Sequence, residues 1–380
     1  MADYVRQMPN QGSADLARRP STASRLHIDL PLLFLLLILT GYGLVVLYSA
    51  SGQDFGAVIR QGRYFLVAYV VMFLAAQLSL QRYARWAPWF YVAGVCTLVA
   101  VIFFGVGAKG AQRWLQIGGF RFQPSEIMKL VVPMAVACFL AERTLPPRFQ
   151  HVIVALVILG LPAALILRQP DLGTALLIAA SGLFVLFMAG IGWRYIFGAA
   201  LAVVASAWPA WMFMLQDYQK QRILTLLNPE SDKLGAGWNI IQSKTAIGSG
   251  GWTGKGWLSG TQSQLDFLPE SHTDFIIAVL AEEFGLRGVL TLMFLYSLVL
   301  WRGFVIGMSA QSSFGRMMAG SLTLTFFVYV FVNMGMVAGL LPVVGVPLPL
   351  VSAGGTALVT LMAGFGVLMA VSTEKRMVVR

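Results

Sequence analysis

Ten apolar runs, most of them long enough to cross a membrane as a helix, constrain this chain more than any other feature. They lie at Leu30 to Tyr48, Tyr64 to Leu80, Trp89 to Val106, Ile127 to Ala141, Val152 to Leu167, Thr174 to Gly190, Tyr195 to Leu215, Gly288 to Trp301, Met317 to Leu340 and Val351 to Val371. Within hydrocarbon each backbone group has to be satisfied by its own segment or by a closed barrel, and apolar runs without alternation leave only helices. With 58% hydrophobic and 11% charged residues, the 380-residue chain carries more apolar surface than a soluble core could hide. The expected fold is therefore an all-α polytopic integral membrane protein with ten transmembrane helices. The first run exceeds the roughly 7–15 apolar residues of a cleaved signal peptide and reads as a retained anchor. Residues 1–28, rich in Ala, Ser, Arg and Pro, read as a disordered tail, residues 29–373 as one membrane domain, and residues 374–380 as a second tail.

The net charge of +11 does not point to nucleic acid, because the 27 Lys and Arg are scattered between apolar runs and form no basic block. Their distribution reads instead as topology. With a cytoplasmic amino terminus, fourteen of them fall in inside segments and seven in short outside ones, which places both termini in the cytoplasm. The long segment 216–287, between spans 7 and 8, then faces outward and holds 8 of the 16 acidic residues. A loop of that length is uncommon unless it has a function. Within it Phe275 to Leu286 is apolar but only half a membrane deep, and is expected to re-enter the membrane or lie on it.

Cys96 and Cys138 sit inside apolar runs and read as small core residues, and the isolated His27, His151 and His272 offer no zinc spacing. The glycine-rich run Gly248 to Gly256 departs from a phosphate-loop pattern at Ser249 and Gly256. It is either a turn-rich loop or a set of backbone amides lining an anion site. The remaining candidates are ionisable residues at the outer ends of spans, where burial in lipid is costly. Glu126 and Lys129 lie three apart after Pro124, as a self-neutralising pair or as part of a site. Asp171, in the run from Arg168 to Thr174, is a helix cap or an acidic site residue. Asp274 stands where the polar loop meets the apolar Phe275 to Leu280, as a cap or as a carboxylate placed to act as a general base. Glu282 and Glu283 do not share its helix face.

The segments at 121–126 (RFQPSE), 169–174 (QPDLGT), 235–237 (GAG), 247–251 (IGSGG), 254–256 (GKG), 272–274 (HTD) and 345–352 (GVPLPLVS) together resemble the SEDS family of bacterial shape, elongation, division and sporulation proteins, in its elongation branch. That resemblance implies a peptidoglycan glycosyltransferase that polymerises lipid II at the outer face of the inner membrane. It also implies a class B penicillin-binding protein as transpeptidase partner and a place in the cell elongation machinery. The family's essential aspartate falls on Asp274, its conserved Glu and Lys on Glu126 and Lys129, and the aspartate of its QPDLGT motif on Asp171. One departure is Ala353, where the family commonly has Tyr.

The implied chemistry needs one base for an incoming sugar hydroxyl and positive charge beside a lipid pyrophosphate leaving group. Asp274 would supply the base, and Lys129 with loop cations such as Arg222 would hold the phosphates, with Glu126 and Asp171 either supporting the cation or serving as acidic ligands at an open site. No cofactor is evident in the sequence, though a divalent cation, Mg or Mn, would suit the pyrophosphate. Two other readings stand beside this one. A flippase for a lipid-linked precursor would place its site near the midplane and often shows inverted repeats, which are not found here. A noncatalytic scaffold would tolerate Asp274→Asn.

Overall fold

The computed structural model describes residues 26–108, 111–117, 120–232, 235–264, 267–268 and 270–374. Apart from 26–28 and 374, the two expected tails lie outside the described residues. In chain order the elements are α1 (Leu30–Ala50), α2 (Phe55–Ala76), α3 (Leu80–Phe104), strands β1 (Val106–Ala108), β2 (Ala111–Ile117) and β3 (Phe120–Phe122), then α4 (Pro124–Ala141), α5 (Phe149–Leu167) and α6 (Leu172–Met188). They continue with α7 (Trp193–Pro209, extended by a π turn, Ala210–Met214), α8 (Asp217–Leu227), α9 (Ala236–Gly250), the single turn α10 (Thr261–Gln264), α11 (Ile276–Ser309), α12 (Ser313–Val337) and α13 (Thr356–Ser372). Eight of these, α1 to α5, α7, α11 and α12, are long and apolar enough to cross a membrane. The equally apolar α6 and α13 have 17 residues each, and at about 1.5 Å per residue they fall a little short of the hydrocarbon thickness.

The helix starts are written locally. Asp29 accepts from the Leu32 amide at 3.1 Å to cap α1, Asp54 accepts from Gly56 and Ala57 at 2.8 and 3.1 Å to cap α2, and Pro124 occupies the first position of α4. Hydropathy placed the third run from Trp89, but α3 begins at Leu80 and carries Arg82 and Arg85 in its opening turns, because polar residues at a membrane-helix end keep their heads in water. The apolar stretch from Phe275 and the run from Gly288 are one helix, α11, bent at Gly285, where φ is +66°. Residues 275–283 are buried on every side rather than on one face, as in a segment inserted among other helices.

The three strands between α3 and α4 form an antiparallel sheet in the order β1-β2-β3, an element that hydropathy did not indicate. Helices α4 and α12 lie at the centre of the bundle, α2 packs along α13, and α6 along α12. The α2–α13 approach depends on Gly366, where a Cβ would run into the Met72 carbonyl. At the other extreme α7 has no buried residue at all.

Candidate active site

Asp274 closes a turn that starts at Glu270, whose carbonyl accepts from Thr273 at 3.1 Å and Phe275 at 3.4 Å. Three successive carbonyls of this turn are tied to α12 and the segment after it. His272 accepts from the Ala353 amide at 2.9 Å, Thr273 from the Ser352 hydroxyl, and Asp274 from Asn333 Nδ2 at 2.9 Å. Asn333, fully buried in α12, also donates to the Val346 carbonyl at 2.7 Å, so one amide joins the Asp274 turn to the 345–352 loop. Ser352 Oγ accepts from Leu348 at 2.9 Å, and buried Gln61 of α2 accepts from Gly354 at 3.2 Å. Ala353 acts here through its backbone, so the usual Tyr could make the same bond. The half-buried Asp274 carboxylate faces Gly345, φ +73°, where a Cβ would lie 3.5 Å from Oδ2.

Glu126 and Lys129 are together, as their spacing allowed. Lys129 Nζ donates to Glu126 Oε1 at 2.6 Å, with the side chains 11% and 9% exposed, and sits 5.1 Å from the Tyr329 ring centroid. An ion pair this deep repays its desolvation only with good geometry and further partners, and the aromatic face of Tyr329 is one. Tyr329 and Asn333 are four residues apart on α12 and so share a face one turn apart. This helix therefore touches Lys129 and the Asp274 turn from successive turns. The ion pair lines a small cavity of about 40 Å³ that also takes in Tyr329, Thr360 and Thr325, whose buried hydroxyl has no partner among the described residues.

Asp171 caps α6 through the Thr174 amide at 3.2 Å, accepts from Gln123 Nε2 at 3.3 Å and lies 3.7 Å from Arg113. Arg113, on β2, also donates to the Gln169 carbonyl at 3.4 Å and to the Pro170 carbonyl. The small sheet thus carries the arginine that binds the α5–α6 turn. Arg222 stands apart: on α8, 5.7 Å from the Tyr218 ring centroid, it makes no contact with Asp274, Glu126 or Lys129 among the described residues. Tyr218 and Arg168 line a groove of about 1030 Å³ between the α5–α6 turn and the end of α7.

The glycine-rich run serves close packing. Lys255 and Gly256 amides donate to the Glu282 and Glu283 carbonyls, both at 3.0 Å, and Leu286 and Arg287 donate back to Gly251 and Trp252 at 2.9 and 3.3 Å. A Cβ on Gly254 or Gly285 would strike the other strand's backbone. The Lys255 and Gly256 amides are consequently spent within the protein, not turned toward an anion. Fully buried Glu282 accepts from Lys255 Nζ at 2.6 Å, from Thr261 at 2.8 and 2.9 Å and from the Gln262 amide at 3.1 Å, while Glu283 accepts from Ser49. Among the described residues no three His, Cys, Asp or Glu side chains converge, so the donor set suits no all-protein cage for Mg or Mn. An ion held by one carboxylate and substrate phosphates is the form open to it.

Sequence reasoning missed Asn333, Tyr329 and Gln61, and it met Ser352 only as the end of the 345–352 segment, with no role assigned. The available signal was a lone amide, Asn333, deep in an apolar run, since polar groups at that depth need a partner.

A family model described as cell cycle protein, for the FtsW, RodA and SpoVE group, matches residues 30–377. Peptidoglycan glycosyltransferase MrdB of Escherichia coli K12 is 55% identical over 354 residues, covering 93% of this chain and 95% of that protein. The probable peptidoglycan glycosyltransferase FtsW of Trichlorobacter lovleyi is 36% identical over 374 residues, 94% of this chain and 96% of its own. A solved structure described as a peptidoglycan synthase complex coordinating polymerization and crosslinking matches with a TM-score of 0.78 at 31% identity, over 90% of this chain and 97% of that one. The rod shape determining protein RodA of Thermus thermophilus matches with a TM-score of 0.68 at 28% identity, over 90% and 96% of the two chains.

Proposed function

Because the chain belongs to the FtsW, RodA and SpoVE family, the SEDS family, and is a peptidoglycan glycosyltransferase, we propose that it polymerises lipid II at the outer face of the inner membrane with Asp274 as general base. In this reading ten helices span the membrane, α6 and α13 among them, both termini are cytoplasmic, and the 216–287 segment faces outward. The acceptor hydroxyl loses its proton to the Asp274 carboxylate as its oxygen bonds to the donor's anomeric carbon. The bond from that carbon to the pyrophosphate oxygen breaks, and the lipid pyrophosphate leaves as a stable anion, so no separate general acid is required. Lys129, paired with Glu126, packs on Tyr329 one turn of α12 from the Asn333 that holds the Asp274 turn, and Arg222 lies 5.7 Å from the ring of Tyr218, which lines the groove beside the α5–α6 turn; these are the cations that would meet the diphosphate. Asp171 supports the site by fixing Arg113 and the start of α6.

The observation that carries this reading is the fixing of Asp274 by three adjacent carbonyl tethers, since a base must be held within reach of its proton. A class B penicillin-binding protein, the transpeptidase of the elongation machinery, is the partner that this function calls for. The test is polymerisation of fluorescent lipid II by the purified protein, with and without that partner. Glycan ladders from wild type and none from a folded, partner-bound Asp274→Asn protein are expected. Ladders of normal yield from Asp274→Asn would remove Asp274 from the chemistry.

A further inference from the structure

Away from Asp274, at the other end of α5, α6 and α7, lies a groove of about 630 Å³. Its walls are apolar: Val152 and Leu156 from α5, Leu183 and Phe187 from α6, and Gly198 from α7, with Leu324 of α12 at the back. Because α7 has no buried residue, the groove is open along its length to whatever surrounds that helix, which at this depth is acyl chain. Its mouth is bridged by the stacked rings of Phe149 and Tyr195, 5.9 Å apart, one from each wall.

Charge distinguishes this groove from ordinary lipid-facing surface. Arg194 lines it at the first turn of α7, and Arg148 immediately precedes Phe149 as the cap residue of α5. Both are exposed, neither is in an ion pair among the described residues, and no acidic side chain lines the groove. Apolar walls alone give no preference, since a chain leaving bulk lipid for the groove gains no hydrophobic free energy. A phosphodiester at the mouth does gain, from a guanidinium placed at headgroup depth.

We propose that this groove binds an anionic glycerophospholipid of the leaflet opposite Asp274, with one acyl chain between α5, α6 and α7 and its phosphodiester on Arg194, beside Arg148. The site is separate from the substrate chemistry, and what it fixes is the position of α7, which the protein itself barely holds.

The test is native mass spectrometry of the full chain released from nanodiscs of mixed phosphatidylglycerol and phosphatidylcholine. The wild type is expected to retain phosphatidylglycerol over phosphatidylcholine by roughly fivefold or more for each engaged arginine. Arg194→Gln should lose most of that preference and Arg194→Lys should keep it. Gly198, whose Cβ position meets nothing within 4 Å, allows a second variant: Gly198→Trp should fill the groove and reduce retention of both lipids without disturbing packing. Equal preference in wild type and Arg194→Gln would overturn the proposal, as would unchanged retention in Gly198→Trp. Displacement by inorganic phosphate alone, or preferential capture of an isoprenoid phosphate, would also overturn it by naming a different occupant.

Discussion

Replacing Asn333 by Leu tests the argument that α12 positions Asp274. The amide gives its two hydrogens to the Asp274 and Val346 carbonyls at 2.9 and 2.7 Å inside a fully buried environment, and Leu has nearly the same size but no donor. A buried carbonyl left without its partner costs about 1–3 kcal/mol, so two of them, less the apolar gain of Leu, give a loss of about 2–4 kcal/mol. The tethers on His272 and Thr273 survive, so the turn stays attached while its last carbonyl is released. A misplacement of about 1 Å at a reacting group lowers a rate by up to about 100-fold, and we expect kcat to fall between about 10- and 100-fold with KM little changed. Initial rates of fluorescent lipid II polymerisation read the fall in kcat, and thermal unfolding in detergent reads the loss of stability. Asn333→Asp, which keeps the shape but places an acceptor against two acceptors, should be at least as damaging. Wild-type rates and unfolding temperatures in both variants would refute the positioning role.

Breaking the Glu126–Lys129 pair from one side, as Glu126→Gln or Lys129→Met, leaves a buried group without its counterpart and should cost about 3–5 kcal/mol. The double variant should lose less than the sum, measured as a thermal-unfolding double-mutant cycle, and strict additivity would show that the two do not interact. Gly285→Ala places a Cβ against the Trp252 and Gly254 backbone at φ +66° and should free the 250–262 segment. Limited proteolysis is expected to cut there in the variant and not in the wild type, and identical digestion patterns would contradict the packing described.

Where the sequence was informative, the reason was local. Apolar runs of helical length are set by the thickness of hydrocarbon, so the existence of the helices, if not their ends, could be read directly. Glu126 and Lys129 had to meet because residues three apart share a helix face. Asp274 stood out because a carboxylate preceded an apolar helix. What could not be read was everything made by residues far apart in the chain: Asn333 reaching back 59 positions to Asp274, or Gln61 meeting Gly354. The sheet escaped because its strands are short, two of them only three residues long, so they give no period to read. Arg222 was grouped with Lys129 on charge alone, and charge says nothing of distance.

The junction between residues 251–256 and 282–287 has an evolutionary consequence. Its four cross-links run from main chain to main chain, so Trp252 and Thr253 can change identity without altering which amide meets which carbonyl. Adding or deleting one residue between Trp252 and Lys255 would instead keep the Gly251 and Trp252 pairs in register only by moving the Lys255 and Gly256 amides off the Glu282 and Glu283 carbonyls. Lineages carrying this fold are free to rewrite positions 252 and 253, but neither the glycines at 254 and 285 nor the length of the stretch.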